Sequence, residues 1–373
     1  YNRISKKPNR KFKEPIIKGK NDYNEAALKI LSHPNVASKA RCYNHYDKNV
    51  QGNSIIEPGQ ADAGLIKAAN NSKYGIALSV DNNPRYGRID PYLGAANAVA
   101  ESMRNVAAIG AVPSALTDCL NFGNPEKPEE FYDFKESVRG IKDAAEKICY
   151  YKTKHPVPII SGNVSFYNES KSGKAIDPSP IIACIGVMKD YSKAIDIKIK
   201  KINSTLLLIG NRKDELGGSV YYDINKELGA NVPKVDFNEQ KGMIYGIIEC
   251  IDRGLLLSCH DISDGGMLAT LAEMILGGNA DGEIGADINF NYPYLRDDKI
   301  LFSESAGFVV EVEDKNLKKV ASIFKKYKLI AHKLGRTTNN KKLTIINNGK
   351  KIIDLKIDDM KKAWTTGFVK AME

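Results

Sequence analysis

The chain alternates between short apolar runs and longer stretches whose apolar positions recur at helical spacing. The short runs predict strands and the longer stretches predict helices. The expected strands are 61–67, 74–81, 112–116, 157–160, 181–188, 205–210, 255–259, 307–312 and further short strands up to 355. The expected helices are 23–32, 94–109, 128–150, 237–253, one opening after 260–266, 314–327 and a final one that carries Trp364. Strands and helices interleave in both halves, so the pattern predicts a mixed α/β fold.

A charged segment at 189–201 interrupts this pattern, because apolar density drops there and charge rises. Such a change in composition is typical of a boundary between domains. Residues 1–21 are rich in Lys, Pro and Asn and start without Met, so we expect a linker inside a longer protein. The sequence therefore predicts a lead-in at 1–40, a first domain at 41–195 and a second domain at 196–373.

The stretch 157–168 changes abruptly from apolar to small and polar residues, which predicts a strand that ends in a loop. Gly162 is flanked there by Ser161, Asn163 and Ser165. Backbone N–H groups, an amide and hydroxyls can converge on an anion, or on an anion with its metal, beyond the end of a strand. A plain β-turn has the same composition, so both interpretations stay open on this stretch alone.

A second junction, at 260–266, combines a predicted strand end with two aspartates, a serine and two glycines. The N-terminus of the following helix favours phosphate, and Asp261 and Asp264 offer the hard oxygens that suit Mg²⁺. Alternatively, the Asp and Ser residues cap the helix while the glycines permit tight packing. Among the five histidines, none of which shows metal-ligand spacing, only His260 lies in such a position.

Polar residues also occur inside the predicted elements of the first half. Asn97, Glu101 and Asn105 recur every four residues on a helix rich in Ala, Val and Met, and so form one stripe. This stripe is either a solvated face or part of a site. Asp81 and Asp118 each end a predicted strand, where a carboxylate can bind a ligand or cap a turn.

Composition narrows the class of protein. With 42% hydrophobic and 27% charged residues, no apolar run near the roughly 20 residues of a membrane span and no signal peptide, a cytoplasmic protein without a membrane partner is expected. Six scattered cysteines without a C-x-x-C pair predict buried thiols. The net charge of +10 lacks a nucleic-acid-binding signature, so no nucleic-acid partner is expected. Serine-hydrolase, P-loop and dinucleotide-binding motifs are also absent from the sequence.

Five stretches resemble, in order, the phosphoribosylformylglycinamidine synthase (PurL) family: 46–53, 89–94, 117–129, 161–168 and 260–266. The resemblance runs from about residue 23 to about residue 360 and covers only the second half of that enzyme. It implies a PurM-like fold, in which an N-terminal α/β domain forms part of a barrel with its counterpart from the other half. A C-terminal α/β domain covers it. The family's catalytic histidine lies in the missing half, so no catalytic residue is expected in this chain.

The resemblance implies an ATP-dependent carbon–nitrogen ligase of purine biosynthesis. The family converts formylglycinamide ribonucleotide to its amidine with ATP, Mg²⁺ and ammonia from glutamine, through an iminophosphate. Such phosphoryl chemistry relies on positioning and charge neutralisation more than on a protein nucleophile. The implied partners are the missing first half, a PurQ glutaminase and a PurS subunit, and the isolated chain is expected to be inactive.

The resemblance also implies roles for individual residues at the family's active site. Asp118 and Gly162 resemble residues that contact ATP. Asn163 resembles a Mg²⁺ ligand, and Ser165 resembles a contact to the substrate.

Long-chain relatives hold a second, pseudo-symmetric nucleotide site in this half. Four residues of this chain resemble the metal ligands of that site: Asp81, Glu101, Asn105 and Asp261. Ser263 resembles a residue that contacts the bound ATP or ADP. This chain departs from the family at Asn82, where Gly is usual. Asn tolerates a positive φ better than most residues, so the turn after Asp81 is expected to survive.

Three other functions remain open from the sequence. The chain could be a complete PurM-like enzyme, such as an aminoimidazole ribonucleotide synthetase or a small-molecule kinase. Those families carry a glycine-rich or Asp/Lys segment near the N-terminus, and residues 1–40 show none. The chain could also be a non-catalytic half that binds a nucleotide or acts as a scaffold, and a nucleic-acid binder is the most distant alternative.

Overall fold

The computed structural model describes residues 3–373, which fold around two β-sheets. The helices within these residues are α1 (Asn24–Leu31), α2 (Ala40–Tyr43), α3 (Pro84–Ile89), α4 (Pro91–Ala108), α5 (Pro128–Ile148), α6 (Val220–Ile224), α7 (Phe237–Asp252), α8 (Gly266–Leu276), α9 (Asp297–Phe302), α10 (Leu317–Lys326) and α11 (Ile357–Met372). The strands are β1 (Ser54–Ile56), β2 (Gly64–Lys67), β3 (Gly75–Asp81), β4 (Val112–Asn121), β5 (Ile159–Ser165), β6 (Ser179–Met188), β7 (Thr205–Ile209), β8 (Ser258–Ile262), β9 (Gly285–Phe290), β10 (Gly307–Val312), β11 (Ala331–Thr338), β12 (Lys342–Asn347) and β13 (Lys350–Lys356). The predicted α/β fold class is confirmed.

The first sheet has the strand order β1-β2-β3-β6-β4-β5, and α4 packs between this sheet and α5. Helix α4 begins three residues earlier than predicted. Asp90 caps it by accepting a hydrogen bond from the Leu93 N–H at 2.9 Å, and Pro91 occupies its first turn. Both residues are favoured at a helix N-terminus, so they fix where α4 starts.

The other face of the first sheet is apolar and exposed. On β3, Ile76, Leu78 and Val80 are 40%, 50% and 59% exposed. Ile66 on β2 and Val187 on β6 lie directly opposite Ile76 and so share its face. We call these five residues the open face. An exposed apolar surface of this kind is typical of sites that contact a protein, a membrane or a ligand.

The second sheet has the order β13-β12-β9-β11-β7-β10-β8 and is covered on both faces. Strand β7 is buried throughout. Leu206 and Leu208 pack in a core with residues of α1, α8 and α11, whereas Leu207 and Ile209 pack with residues of α7 and α10. Burial on both faces explains why this strand is a continuous apolar run in the sequence.

Residues 6–14, which we call the strap, contact helices beside both sheets of this chain. Arg10 donates a hydrogen bond to Asp133 of α5 at 2.6 Å. Glu14 accepts one from the hydroxyl of Tyr222 in α6 at 2.7 Å, and two more from backbone N–H groups in the loop after α6. Specific polar contacts therefore hold this part of the expected linker against both halves.

Helix α1 packs in the core of the second sheet through Ala27 and Ile30. The charged segment 189–201 lies between β6 of the first sheet and β7 of the second. The domain limits 1–40, 41–195 and 196–373 stay a prediction.

The predicted loop after 157–160 is wrong. Strand β5 continues through Ser165, because its polar residues pair with β4 in parallel register. Strand β4 likewise continues to Asn121, and β8 spans Ser258–Ile262 in place of the expected 255–259. Ladder hydrogen bonds join backbones whatever the side chains are, so an apolar pattern underestimates strands that end in polar residues.

Short elements were missed as well, namely β1, β9, α2, α3, α6 and α9. Four of the six cysteines are buried as predicted, but Cys42 is exposed and Cys119 is only partly buried. For these two residues the prediction is wrong. Among residues 3–373, no helix is both long and apolar enough to cross a lipid bilayer.

Candidate functional site

Two groups of candidate residues occupy different places in the fold. One group lies where α4 meets the ends of β3 and β8, and contains Asp81, Glu101, Asn105 and Asp261. We call it the cation cluster. The other group lies on the neighbouring strands β4 and β5, and we call it the edge cluster; it contains Asp118, Gly162, Asn163 and Ser165.

The cation cluster draws its residues from both halves of the chain. Asp81 is the last residue of β3, Glu101 and Asn105 lie one turn apart on α4, and Asp261 lies in β8 of the second sheet. Asn105 donates a hydrogen bond from Nδ2 to Asp81 Oδ1 at 2.9 Å. The polar stripe of α4 is therefore not a solvated face, because Asn97 and Asn105 are both buried. Asn97 lies outside the cluster and donates to the carbonyl oxygen of Pro233 at 2.8 Å.

One buried guanidinium, that of Arg104, lies next to the carboxylates of this cluster. Arg104 lies 3.3 Å from Asp261 Oδ2 and 3.8 Å from Glu101 Oε2, and its side chain is 2% exposed. Its Nη1 also donates to the Gln240 side chain at 3.1 Å. A single guanidinium thus faces several carboxylates, and the sequence pattern gave no sign of it beyond an Arg within an apolar helix.

The carboxylates of the cluster are crowded. Burial, together with the nearby Asp261 carboxylate, raises the pKa of Asp81 to about 8. Burial and Asp62 raise the pKa of Asp261 to about 6, and burial with Asp81 raises the pKa of Glu101 well above its ordinary value. Loss of water and mutual repulsion both disfavour the charged forms, so a cation bound among these groups would relieve the crowding.

The donor set fits a hard divalent cation. Asp81 Oδ2 and Asn105 Oδ1 are buried and have no hydrogen-bond partner among the described residues. Buried polar oxygens are normally satisfied, so these two need a partner that the polypeptide does not supply. Carboxylate and amide oxygens are the ligands that Mg²⁺ prefers.

Residues 263–266 form the turn between β8 and α8. Ser263 donates a hydrogen bond from Oγ to Asp261 Oδ1 at 3.2 Å. Gly265 and Gly266 both have positive φ values, 83° and 69°, and a Cβ on Gly266 would collide with the backbone at the end of α9. Gly265 occupies the cap position and no side chain caps α8, so the alternative in which Asp and Ser cap this helix is wrong.

The N-terminus of α8 already holds an internal carboxylate. Glu304 accepts hydrogen bonds from the N–H of Gly265 at 2.9 Å, from the N–H of Val220 at 2.8 Å and from the hydroxyl of Tyr86 at 2.5 Å. A phosphate at this helix end would compete with it. Asp264, the second aspartate of the motif, instead accepts from the Asn83 side chain at 3.4 Å.

The sequence pattern missed Asp62, which connects His260 to the cluster. His260 Nδ1 lies 2.5 Å from Asp62 Oδ1 and its Nε2 lies 3.0 Å from Glu273 Oε2. Asp62 Oδ2 also accepts from the Asp261 N–H at 3.1 Å. Burial lowers the pKa of His260, but the two carboxylates outweigh it and raise that pKa well above its ordinary value. Although Asp62, His260 and Asp261 are close enough to share a metal, His260 is better described as a buried cation.

Asn82 keeps a negative φ, so this departure from the family pattern needs no left-handed turn. Its side-chain oxygen is buried and has no hydrogen-bond partner within residues 3–373.

In the edge cluster, Asp118 pairs with Gly162 across the parallel strands β4 and β5. A Cβ on Gly162 would overlap the Asp118 carboxylate, so a larger residue at this position would displace that side chain. Burial raises the pKa of Asp118.

The structure does not bring the whole edge cluster to one point. Side chains alternate along a strand, so Asn163 and Ser165 lie on the face opposite to Gly162. Their register through Cys119 and Asn121 places them on the same side of the sheet as the open face. Ser165 is hydrogen-bonded there to Asn168 at 3.2 Å. Asp118 and Gly162 instead face the side covered by α5.

Family models match most of the chain. Residues 60–188 match the model described as AIR synthase related protein, N-terminal domain, and residues 201–347 match the corresponding C-terminal domain. The chain is 49% identical, over its whole length, to phosphoribosylformylglycinamidine synthase subunit PurL of Methanothrix thermoacetophila, and covers 48% of that protein. The chain thus spans about half the length of the curated relatives it matches.

Solved structures share the fold. Thermotoga maritima PurL complexed with FGAR matches with a TM-score of 0.70 and 19% identity, over 90% of this chain and 53% of that one. PurLQS from the same organism matches with a TM-score of 0.68 and 18% identity, over 90% of this chain and 51% of that one. The PurM-like arrangement of an N-terminal and a C-terminal α/β domain is confirmed. Given the 49% identity along its whole length, the chain belongs to the PurL family of phosphoribosylformylglycinamidine synthase subunits and corresponds to about half of such a subunit.

Proposed function

We propose that this chain is the C-terminal half of a phosphoribosylformylglycinamidine synthase. The complete enzyme is an ATP-dependent carbon–nitrogen ligase that converts formylglycinamide ribonucleotide to formylglycinamidine ribonucleotide in purine biosynthesis. The observation that carries this proposal is the 49% identity over the whole chain to a PurL subunit of which it covers only 48%.

The open face supports the need for a second half. Edge strand β5 has one free side, and its residues Ile159 to Val164 are exposed. Two sheets whose apolar faces meet bury both faces, so the open face is suited to the sheet of the missing first half. Asn163 and Ser165 lie on this side of the sheet and would then face the active site between the halves.

The chain contributes its own groups to nucleotide binding. Asn163 is assigned to Mg²⁺ and Ser165 to the substrate, on the side of the sheet that faces the other half of the enzyme. Asp118 and Gly162 lie on the opposite side of the sheet, so this geometry gives no support to their predicted contact with the same ATP. The cation cluster is assigned to Mg²⁺ at a second nucleotide site, where Ser263 would contact the bound ATP or ADP. Bound Mg²⁺ supplies charge neutralisation for the nucleotide phosphates.

Catalysis requires groups that this chain lacks. The substrate amide oxygen is activated by phosphoryl transfer to give an iminophosphate, and ammonia then displaces phosphate. The residues of this chain position ATP and substrate and exclude water, while the first half contributes the catalytic histidine. Ammonia would come from a PurQ glutaminase with a PurS subunit, in keeping with the PurLQS assembly solved for Thermotoga maritima.

Turnover measurements test whether the chain needs the first half of the enzyme for catalysis. The purified chain is expected to show no turnover of formylglycinamide ribonucleotide with ATP, Mg²⁺ and ammonia. Addition of the separately expressed first half is expected to produce turnover. Activity of the chain alone would contradict the proposal and favour a complete PurM-like enzyme of the aminoimidazole ribonucleotide synthetase type.

Calorimetry with Mg-ADP tests the second nucleotide site. Asp261→Asn is expected to weaken Mg-ADP binding at least about tenfold, because it removes one charged ligand. Asp47→Asn, an exposed acidic residue outside the cluster, is the matched control and is expected to leave binding unchanged. Unchanged binding in Asp261→Asn would remove the cluster from the nucleotide site, and no binding to the unaltered chain would favour a scaffold.

A further inference from the structure

A buried guanidinium lies at the end of β7, and no carboxylate neutralises it. Arg212 is 4% exposed. Its Nη2 donates to the carbonyl oxygen and, at 3.4 Å, to the hydroxyl of Ser303. Nε and Nη1 have no hydrogen-bond partner within residues 3–373. A buried charge without an ion-pair partner is costly, so an anion bound beside Arg212 would stabilise the fold.

Three carboxyl groups lie near Arg212, but within residues 3–373 none forms an ion pair with it. Glu215 accepts a hydrogen bond from a serine hydroxyl at 3.0 Å, and Glu239 pairs with a lysine at 2.8 Å. Glu304 accepts from a tyrosine hydroxyl and two backbone N–H groups. Burial lowers the pKa of Arg212 to about 10 in spite of these three carboxylates.

A cavity of about 290 Å³ opens beside Arg212, between the ends of β7, β9 and β11. Its polar lining within the described part of the chain contains donors and cations but no Asp or Glu: Arg212, Asn289, Asn291, Tyr292, His332 and Lys333. Burial lowers the pKa of His332, which is therefore a neutral donor or acceptor at neutral pH. The cavity shares no lining residue with the cation cluster or the edge cluster.

We propose that this cavity binds the phosphate group of a small metabolite, with Arg212 as its charged anchor. A tetrahedral oxyanion accepts hydrogen bonds in several directions, which suits amide, hydroxyl and imidazole donors around one guanidinium. The cavity lies at the lower end of the volumes that hold drug-sized ligands, so the rest of the molecule is small. The site is independent of the proposed synthase reaction.

Thermal unfolding of the full chain with inorganic phosphate tests the site. At constant ionic strength in a chloride buffer, phosphate is expected to raise Tm by a few degrees and to saturate, because it binds only the folded state. Arg212→Met is expected to abolish this rise. Without phosphate, Arg212→Met is expected to unfold at the same Tm as the original chain or at a higher one, since it removes an unneutralised buried charge.

Lys213→Met is the matched control, because it removes the neighbouring positive charge, which is already paired with Glu239 at 2.8 Å. This variant is expected to keep the phosphate-dependent rise. No saturable rise in the original chain, or an equal rise in Arg212→Met, would overturn the proposal. A rise in the Tm of the original chain with acetate but not with phosphate would also overturn it, because the ligand would then be a carboxylate. If phosphate still raised the Tm of Arg212→Met but not that of Ser263→Ala, the phosphate would bind at the nucleotide site, and this result would also overturn the proposal.

Discussion

Buried carboxylates outnumber cations where α4 meets β8. Asp81, Glu101 and Asp261 share one buried guanidinium, that of Arg104, and burial raises the pKa of each carboxyl. Such a cluster is costly to ionise without a ligand and is typical of a site where a cation binds. At the scale of single residues, the site is therefore defined by groups that the polypeptide leaves unsatisfied.

Gly162 shows how one absent side chain makes room for a functional group. Gly162→Ala is expected to destabilise the fold by about 1 kcal/mol, because its Cβ would displace the Asp118 carboxylate into a less favourable rotamer. Gly64→Ala is the matched control, since Gly64 is also a strand residue of the first sheet and a Cβ there meets no atom within 4 Å. Urea unfolding followed by circular dichroism measures both, and equal midpoints would contradict the close approach.

Glu304 is expected to make stability depend on pH. Burial raises its pKa from 4.5 to about 8, so the folded state holds a proton that the unfolded chain releases between these values. Stability therefore falls as pH rises through this window, by up to about 5 kcal/mol, and this group makes no pH-dependent contribution below about pH 4.5.

Glu304→Gln keeps the shape of the side chain but cannot ionise. The difference in free energy of unfolding between Glu304→Gln and the original chain is expected to grow in favour of Gln from pH 5 to pH 8.5. Urea unfolding at these two pH values measures it. A constant difference would show that Glu304 keeps one protonation state throughout.

At the scale of elements, the strap is a structural part of the molecule. Arg10 contacts an aspartate on α5, and Glu14 contacts α6 and the loop after it, so this irregular segment contacts the regions of both sheets. Asp133 is 1% exposed and its other oxygen has no partner among the described residues. Its carboxylate therefore depends on Arg10 for charge compensation.

Arg10→Ala is expected to lower the free energy of unfolding by about 1–3 kcal/mol, because it leaves a buried carboxylate uncompensated while Arg10 itself is partly exposed. Lys6→Ala is the control, since its ion pair with Glu129 is exposed on both sides and is worth about 0–1 kcal/mol. Addition of Asp133→Asn is expected to recover part of the loss. Chemical unfolding measures all variants, and an effect of Arg10→Ala as small as that expected for Lys6→Ala would show that the buried ion pair of the strap contributes little.

At the scale of the whole molecule, the first sheet is covered by helices on one side only. Ile76, Leu78 and Val80 stay exposed, whereas the second sheet is covered on both sides. The chain spans about half of its relatives and exposes an apolar sheet face, and the proposed assembly with the other half of the enzyme would cover that face.

Leu78→Lys tests this role of the open face. Leu78 is 50% exposed, so the variant is expected to fold normally, but to lose binding to the separately expressed first half because a charge would enter an apolar contact. Ile330→Lys is the control, because Ile330 is 68% exposed and lies next to the second sheet of this chain, away from the open face. This variant is expected to bind the first half of the enzyme. Co-purification with the first half measures both, and retained binding by Leu78→Lys would move the contact elsewhere.

Sequence by itself determined the fold class, most long elements and the family. Periodicity is local, so runs such as β7 and the amphipathic α5 follow directly from neighbouring residues. The family motifs also singled out Asp81, Glu101, Asn105 and Asp261 as one group, and the structure brings these four together. Local patterns failed where strands end in polar residues, as in β5 and β8, since backbone pairing does not require apolar side chains.

Only the tertiary structure decided which distant groups share a space. Asp62 joins His260 across nearly two hundred residues of chain, and Arg212 lies buried without a carboxylate, and neither fact has a local signal. The separation of Asp118 from Asn163 onto opposite faces likewise depends on strand register, which follows from pairing in three dimensions. Charge compensation and burial are properties of the folded arrangement, because both depend on atoms that are far apart in the chain and close in space.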